Sequence, residues 1–389
     1  MLSRSGSGLL LGIFLAAFSH GQALKSEAAA NPAPQGSTQA NWSLTADGKL
    51  LMSWVEVAED ESSTLRYVIR NGAQWSPPRT IATKRQLFRH PAEAPGVVSL
   101  KDGTLVAHWV EMPPDSEAEF AYVSSSKDGT RWSAPVMAHK DRSQNLHGLA
   151  SMTASGEQEV SLIWLEALKG EDEPSVLKRT VVNAAGAVVR EENLDTDVCT
   201  CCPTSVVRTA KGLLVAYRGH NAQDIRDITV KRFEGGKWTP AKVVGTDNWK
   251  INACPTNAAS AAAKGDRVAV AWYTGAGNQY KTQLAFSTDG GATFGKPVLV
   301  STGHSFGYAS VTLDDEGGAI VSWLEQGKDT TGLLARYVTS AGVAGPVLQV
   351  AQGSKQGLGH PRLLQLGKET WIAWGNSDNA KAQTARLTR

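Results

Sequence analysis

Short runs of alternating small and large apolar residues, each ending in an aromatic, recur along the chain at a nearly fixed interval. They are Leu50-Leu-Met-Ser-Trp54, Leu105-Val-Ala-His-Trp109, Val160-Ser-Leu-Ile-Trp164, Leu213-Leu-Val-Ala-Tyr217, Val268-Ala-Val-Ala-Trp272, Ala319-Ile-Val-Ser-Trp323 and Thr370-Trp-Ile-Ala-Trp374, with the closing aromatics 55, 55, 53, 55, 51 and 51 residues apart. A small-residue strand such as Pro95-Gly-Val-Val-Ser-Leu100 and a Gly turn such as Lys101-Asp-Gly103 precede each run. A third strand, a polar turn and a short fourth strand follow it. Brief β-rich runs bounded by Gly, Asp and Asn, with no sustained helical period, predict an all-β antiparallel fold. Four strands per unit of about 50 residues is the spacing of a β-propeller blade. The count of aromatics predicts seven blades over residues 41–389, with a six-bladed form as the alternative. Blade seven has room for three strands only, so a fourth would have to come from the N-terminus, where the prolines of 24–40 make a poor strand.

The polar turn between third and fourth strands adds a motif. Ser287-Thr-Asp289-Gly-Gly291-Ala-Thr293-Phe294 has Ser and Asp to bond turn amides, Gly to take a positive φ, and an aromatic to pack beneath the hairpin. Ser126-Lys-Asp128-Gly129-Thr-Arg-Trp132 is a shorter relative in the same slot, and Asn71-Gly72 and Gly235-Gly236 are eroded ones. The segment resembles the Asp-box of sialidase-type repeat proteins at every defined position, and the resemblance covers nearly the whole mature chain. It implies the propeller fold; activity does not follow from it.

Composition narrows the setting. Arg4, the apolar stretch Leu9 to Phe18 and the small residues Gly21-Gln-Ala23 read as a secretory signal, residues 1–23, too short to span a bilayer. Residues 24–40, nearly free of large apolar side chains, read as a flexible leader. The mature chain is therefore expected to be a monomer in the periplasm or outside the cell, not embedded in a membrane. A net charge of +2 without a Lys/Arg run excludes a nucleic-acid partner.

In a propeller the start of strand one and the end of strand two share a face. At strand-one starts stand Arg89-His90-Pro91, His147-Gly148, Cys202-Pro203, Cys254-Pro255 and His360-Pro-Arg362, with His304 just before the sixth. After the motif aromatic come Glu56, Glu111, Glu166 and Glu325, and in blade four Arg218. Each residue alone is more simply read as inherited strand punctuation. The set predicts a ring of ionisable groups at one channel mouth. The cysteines lie in blades four and five: Cys199, Cys201, Cys202 and Cys254. An even count in an exported chain points to disulfides, with Cys202–Cys254 the expected bridge between adjacent first strands. The rival reading leaves the four thiols, with His304, as ligands of copper or zinc.

Three functions follow. In the first the His/Cys/Glu mouth binds a soft metal or a small ligand. In the second the chain is an exo-acting sialidase-like glycoside hydrolase. The resemblance would then imply an Arg cluster holding a substrate carboxylate, and Phe88-Arg89-His90-Pro91 is similar to the family's F-R-I-P, with Arg218 and Arg362 at plausible heights. No Arg triad at the family's spacing can be assigned, and the cysteines are foreign to that site. In the third the propeller is a scaffold for a protein or glycan. The features that separate them are an Arg cluster with a carboxylate pair for a hydrolase, and unbridged cysteines within reach of His for a metal protein.

Overall fold

The computed structural model describes residues 23–114, 116–167 and 175–389. The predicted signal falls almost wholly outside them. Seven antiparallel sheets of four principal strands follow one another around a central channel, as the repeat predicted. In blade three, Leu146–Ala154, Glu159–Ala167, Ser175–Asn183 and Val188–Val198 run from the channel outward.

Blade seven closes the circle. Its first three strands are Arg362–Leu366, Glu369–Trp374 and Gln383–Thr388, and Lys25–Ala28 adds the fourth, pairing Lys25 with Thr388 through Ala28 with Ala385. The segment expected to be a flexible leader is thus built into the fold, because its pairing stretch lies before Pro32 and Pro34. Leu24 is buried with Ile372 and Leu387, and Ser37–Leu44 already forms the first strand of blade one.

The motif aromatics pack between blades. Trp54, Trp109, Trp164, Trp272 and Trp323 are fully buried. An indole N–H taken out of water needs an acceptor. Trp54, Trp109 and Trp323 donate to Glu56 (3.0 Å), Glu111 (2.6 Å) and Glu325 (2.9 Å), two residues along the same strand. Trp164 donates to Thr180 and Trp272 to Asp247. Neighbouring first strands, splayed too far apart to pair as a sheet, are joined by serines. The hydroxyls of Ser205, Ser260 and Ser310 accept from the amides of Ala261, Val311 and Leu363 in the next blade, at 3.0–3.1 Å.

The Asp-box turn is built as its residues suggest. The Ser287 hydroxyl donates to Asp289 (2.7 Å) and accepts from the Gly291 amide (2.9 Å), while Asp289 accepts from the Thr293 amide. Gly291 has φ +84°, and a Cβ there would stand 2.1 Å from Leu214 Cδ1, so glycine is required. These turns join the ends of third strands to fourth strands, on the rim opposite the starts of the first strands.

Candidate functional site

On the other rim several first strands begin with a bulge. The pairing register slips between Thr38 and Asn41, between Gly148 and Ser151, and between Gly307 and Ser310. Within these slips Gln39, Leu149 and Tyr308 take left-handed φ values of 50°, 54° and 53°, and Thr256 takes 49° just before the first strand of blade five. Side chains other than glycine adopt this region only where the surroundings over-determine it, and such positions gather at functional sites. Here the bulge turns the Gln39 side chain toward the loop before blade two. Its amide nitrogen donates to the carbonyls of Phe88 (3.3 Å), His90 (3.2 Å) and Glu93 (2.5 Å). That loop is therefore fixed over the channel mouth.

The mouth holds a cavity of about 410 Å³, lined among others by Gln39, Arg89, His90, Glu93, His360 and Arg362. A volume of this order suits a small molecule. A second cavity of about 200 Å³ shares His360 and Arg362 in its lining and adds His108 and Tyr308. On the other side of His90 lies a cavity of about 160 Å³ lined by Phe88, Glu119, Gly148, Cys201 and Cys254. Four residues singled out from sequence, Arg89, His90, His360 and Arg362, thus meet at one mouth. The His90 ring stacks on Phe88 at 5.6 Å, and its Nδ1 accepts from the Ala92 amide. The His360 ring packs 3.7 Å from that of Tyr308. Arg89 reaches the Glu61 carboxylate at 2.5 Å.

Glu93 is the residue that the sequence reading missed. It is 1% exposed, yet it lines the mouth cavity. Its Oε2 accepts from the Ala150 amide at 3.2 Å, and its Oε1 has no partner within the protein. Burial, and next the charge of Glu119, push its pKa up to about 8, against the opposing pull of two backbone amides and Arg362. The two carboxyls are neighbours, since a Cβ placed on Gly148 would stand 2.4 Å from Glu119 Oε2 and 3.5 Å from Glu93 Oε2. At neutral pH Glu93 is therefore a protonated acid beside a second carboxyl group. Among the described residues, other unpartnered atoms of the mouth and channel include Gln39 Oε1, Trp42 Nε1, His360 Nε2 and both nitrogens of His108. Burial, followed by the charge of Arg362, holds both imidazoles below their ordinary range, His108 at about 4. Buried polar atoms normally find partners, so a cluster without them marks the surface where a ligand or water must supply them.

Other expected site residues are placed elsewhere. Glu56, Glu111 and Glu325 turn onto the indoles of their own strands, and Arg66 and Arg85 neutralise the first two. Two residues beyond the tryptophan, the side chain returns to the same face of the strand and meets the indole before it can reach the channel. Arg218 is 2% exposed, with its guanidinium spent on three carbonyls: Asn257 (3.1 and 3.2 Å), Arg226 (2.7 Å) and Tyr273 (2.8 Å). It fastens blade four to blade five and presents nothing to the mouth. His147 is wholly buried, with Nδ1 2.9 Å from the Glu119 carbonyl and Nε2 facing Asp141 (3.3 Å) and Glu166 (3.6 Å). His304 is exposed against Tyr280, apart from the cysteines.

The expected Cys202–Cys254 bridge is corrected to Cys201–Cys254, with Cα atoms 5.9 Å apart. The one-residue shift has a geometric cause. Cys202 points inward, 1% exposed, toward Cys199 at 3.4 Å, while Cys201 lines the 160 Å³ cavity together with Cys254. Cys199 and Cys202 carry free thiols.

Two groups bring metal-type donor atoms within 4.8 Å of one another: Cys199, Cys201 and Cys202, and Asp141, His147 and Glu166. In the first, Cys201 is bridged. In the second, Lys178 sits 2.8 Å from Glu166 and 3.1 Å from Glu191, so the acidic charge already has a cation.

Seven four-stranded blades, an Asp-box rim and a mouth built on bulged first strands define a β-propeller of the sialidase-type repeat class. The chain belongs to the BNR repeat-like domain family, whose model matches residues 48–321. No curated protein sequence matches it. Among solved structures it is similar to the BP39L lectin of Burkholderia pseudomallei, at 14% identity and TM-score 0.59, over 89% of this chain and 94% of the lectin. It is similar to an ulvan lyase of polysaccharide lyase family PL25, bound to -[GlcA(1-4)Rha3S]-, at 10% identity and TM-score 0.57, over 92% and 95%. It is also similar to the α-L-arabinanase of Penicillium chrysogenum, complexed with arabinobiose, at 11% identity and TM-score 0.52, over 93% and 98%. Identities this low speak to the fold alone. Among the described residues no helix is long and apolar enough to cross a membrane.

Proposed function

We infer that the mouth takes the end of an acidic saccharide and cleaves its glycosidic bond, with Glu93 as the proton donor. The observation that carries this reading is Glu93 itself, a buried carboxyl kept protonated, with an unpartnered oxygen, on the wall of a 410 Å³ cavity. Glycoside cleavage asks for two carboxyl groups whose surroundings push their proton affinities apart. Glu119, on the wall of the adjoining 160 Å³ cavity, is the neighbouring carboxyl that would supply the second. Arg362 and Arg89 add positive charge to the same cavity, suited to the carboxylate of a uronic or related acidic sugar. Carbohydrate is also the ligand class named for the lectin, the arabinanase and the ulvan lyase that share the fold.

The copper or zinc reading keeps only the free thiols of Cys199 and Cys202 among its expected cysteine and histidine donors. Cys201 and Cys254 are spent on each other, and His304 stands apart. Export to the periplasm or beyond, as a monomer, remains part of the proposal, supported by the disulfide. The test is a panel of chromogenic uronic-acid and sialic-acid glycosides, with neutral glycosides as controls. One acidic glycoside should be cleaved. Glu93→Gln should lower kcat by roughly 10²–10⁴-fold, the range for loss of a general acid, with binding retained. Arg362→Gln should weaken binding. A wild-type protein that neither binds nor cleaves any acidic sugar, or a Glu93→Gln variant with undiminished turnover, would sink the reading.

A further inference from the structure

The four cysteines form one sulfur cluster, independent of the carboxyl pair. Cys199 and Cys202 are each 1% exposed, their sulfurs 3.4 Å apart at the spacing C-x-x-C. The Cys201 sulfur lies within 4.8 Å of both. Cys201 is half-buried and Cys254 exposed, and their bond links the loop entering blade four to the loop entering blade five across the 160 Å³ cavity that Glu119 also lines. Two cations flank the buried pair. Arg226 donates to Cys199 Sγ at 3.3 Å, and Arg218 is the nearby second positive charge.

We propose that the cluster is a two-position disulfide relay, in which the bond clamping the mouth, Cys201–Cys254, exchanges with the buried pair Cys199/Cys202. The chemistry needs no outside oxidant or reductant. The Cys199 thiolate attacks Cys201 Sγ, the Cys199–Cys201 bond forms, and the Cys201–Cys254 bond breaks with its electron pair leaving on Cys254. Cys254 is the exposed partner, so water solvates the departing thiolate. Cys202 then gives up its proton to that thiolate and attacks Cys199 Sγ, releasing Cys201. One disulfide is present before and after. The two electrons held by the buried dithiol now reside on a dithiol at the mouth, and the tie between the two loops is open.

The surroundings favour this direction of attack. The thiolate is the nucleophile in exchange. The Cys202 hydrogen bond, then the charge of Arg218 and hydrogen bonds from the Cys201 amide and Arg226, hold the Cys199 thiol well below the usual range, against the opposing effect of burial. Burial, and next the neighbouring Cys199, push Cys202 well above it. Cys199, which accepts from Arg226, is thus placed as the nucleophile, and Cys202, 3.4 Å behind it, as the resolver. The intermediate Cys199–Cys201 closes a ring across a single residue, and such strained bonds are the labile ones.

The experiment uses the mature, full-length protein poised with two of its four thiols free. Thiols are blocked with N-ethylmaleimide after an acid quench, and disulfides are mapped by mass spectrometry of non-reduced peptides. The relay predicts both Cys201–Cys254 and Cys199–Cys202 in one sample, in a ratio independent of protein concentration and restored after either form is isolated. Cys199→Ser should freeze the bond at Cys201–Cys254, and Cys202→Ser should abolish the Cys199–Cys202 isomer and leave Cys199–Cys201, with Cys254 free, as a minor trapped species beside Cys201–Cys254. If either variant fails to fold, the wild-type isomer ratio decides alone. A single isomer that stays in place on long incubation, or stoichiometric copper or zinc holding the two thiols, would overturn the relay.

Discussion

Replacing Glu93 by glutamine probes whether burial really keeps this carboxyl protonated. The group titrates near 8 in the folded chain and near its ordinary 4.5 once the chain unfolds. Between those values the folded protein binds more protons than the unfolded one, so stability falls as pH rises. The slope approaches ~1.4 kcal/mol per pH unit, and the full loss reaches ~5 kcal/mol by pH 9. Below pH 4.5 and above about 8 this contribution is flat. Glutamine has nearly the same shape, can accept from the Ala150 amide as Glu93 does, and does not titrate. The variant should match the wild type at pH 4.5 and become more stable as pH rises, by up to ~5 kcal/mol at pH 9. Relaxation of Arg362 toward the carboxylate would reduce that figure.

Urea unfolding followed by tryptophan fluorescence at pH 5, 7 and 9 measures the difference directly. The wild-type-minus-variant comparison cancels the other titrating groups, provided the slope on urea is unchanged. A stability difference equal at pH 5 and pH 9 would refute the assignment of Glu93 as a buried acid. With it would go the proton donor proposed for the mouth.

Other parts of the fold give sharp expectations. Arg218→Met should cost ~3–5 kcal/mol, because it strips the donor from three buried carbonyls that tie blade four to blade five; a loss under ~1 kcal/mol in urea unfolding would contradict that role. Glu111→Ala leaves the Trp109 indole N–H without its acceptor and should cost ~1–3 kcal/mol, while Glu111→Gln restores most of it. Removing residues 24–30 deletes the strand Lys25–Ala28 and should cost ~3–5 kcal/mol in backbone bonds and Leu24 burial. Hydrogen exchange in Gln383–Thr388 should rise first, and unchanged protection there would speak against closure by the N-terminus.

The fold was legible because a propeller repeats its physics. One alternating run per blade and one Gly turn per hairpin are each weak signals, but seven copies at a fixed interval allow little else. Closure of the circle was harder to read. Lys25–Ala28 carries no hydrophobic pattern, since an outermost strand has all four residues exposed. What identifies it is its partner strand 355 residues or more away, and pairing across that separation leaves no local trace. The prolines that argued against a strand lie just beyond it.

The mouth was half legible for a related reason. Of the slot before each first strand, His90, His360 and Arg362, together with Arg89, line one cavity. The slot after each motif tryptophan lies at the same height, yet its glutamates turn away. Height along a strand follows from residue count, whereas direction is set by competition among neighbours. At Glu56, Glu111 and Glu325 the nearest competitor is a buried indole N–H that must be satisfied. Glu93 escaped notice for the converse reason, as it stands in the loop before blade two, outside either repeated slot. Only the closed ring sets it against Glu119, Arg362 and the amide of Ala150. A chemically distinctive group in a repeat protein is thus to be sought where a loop departs from the repeat, because repeated positions are already committed to holding the blades together.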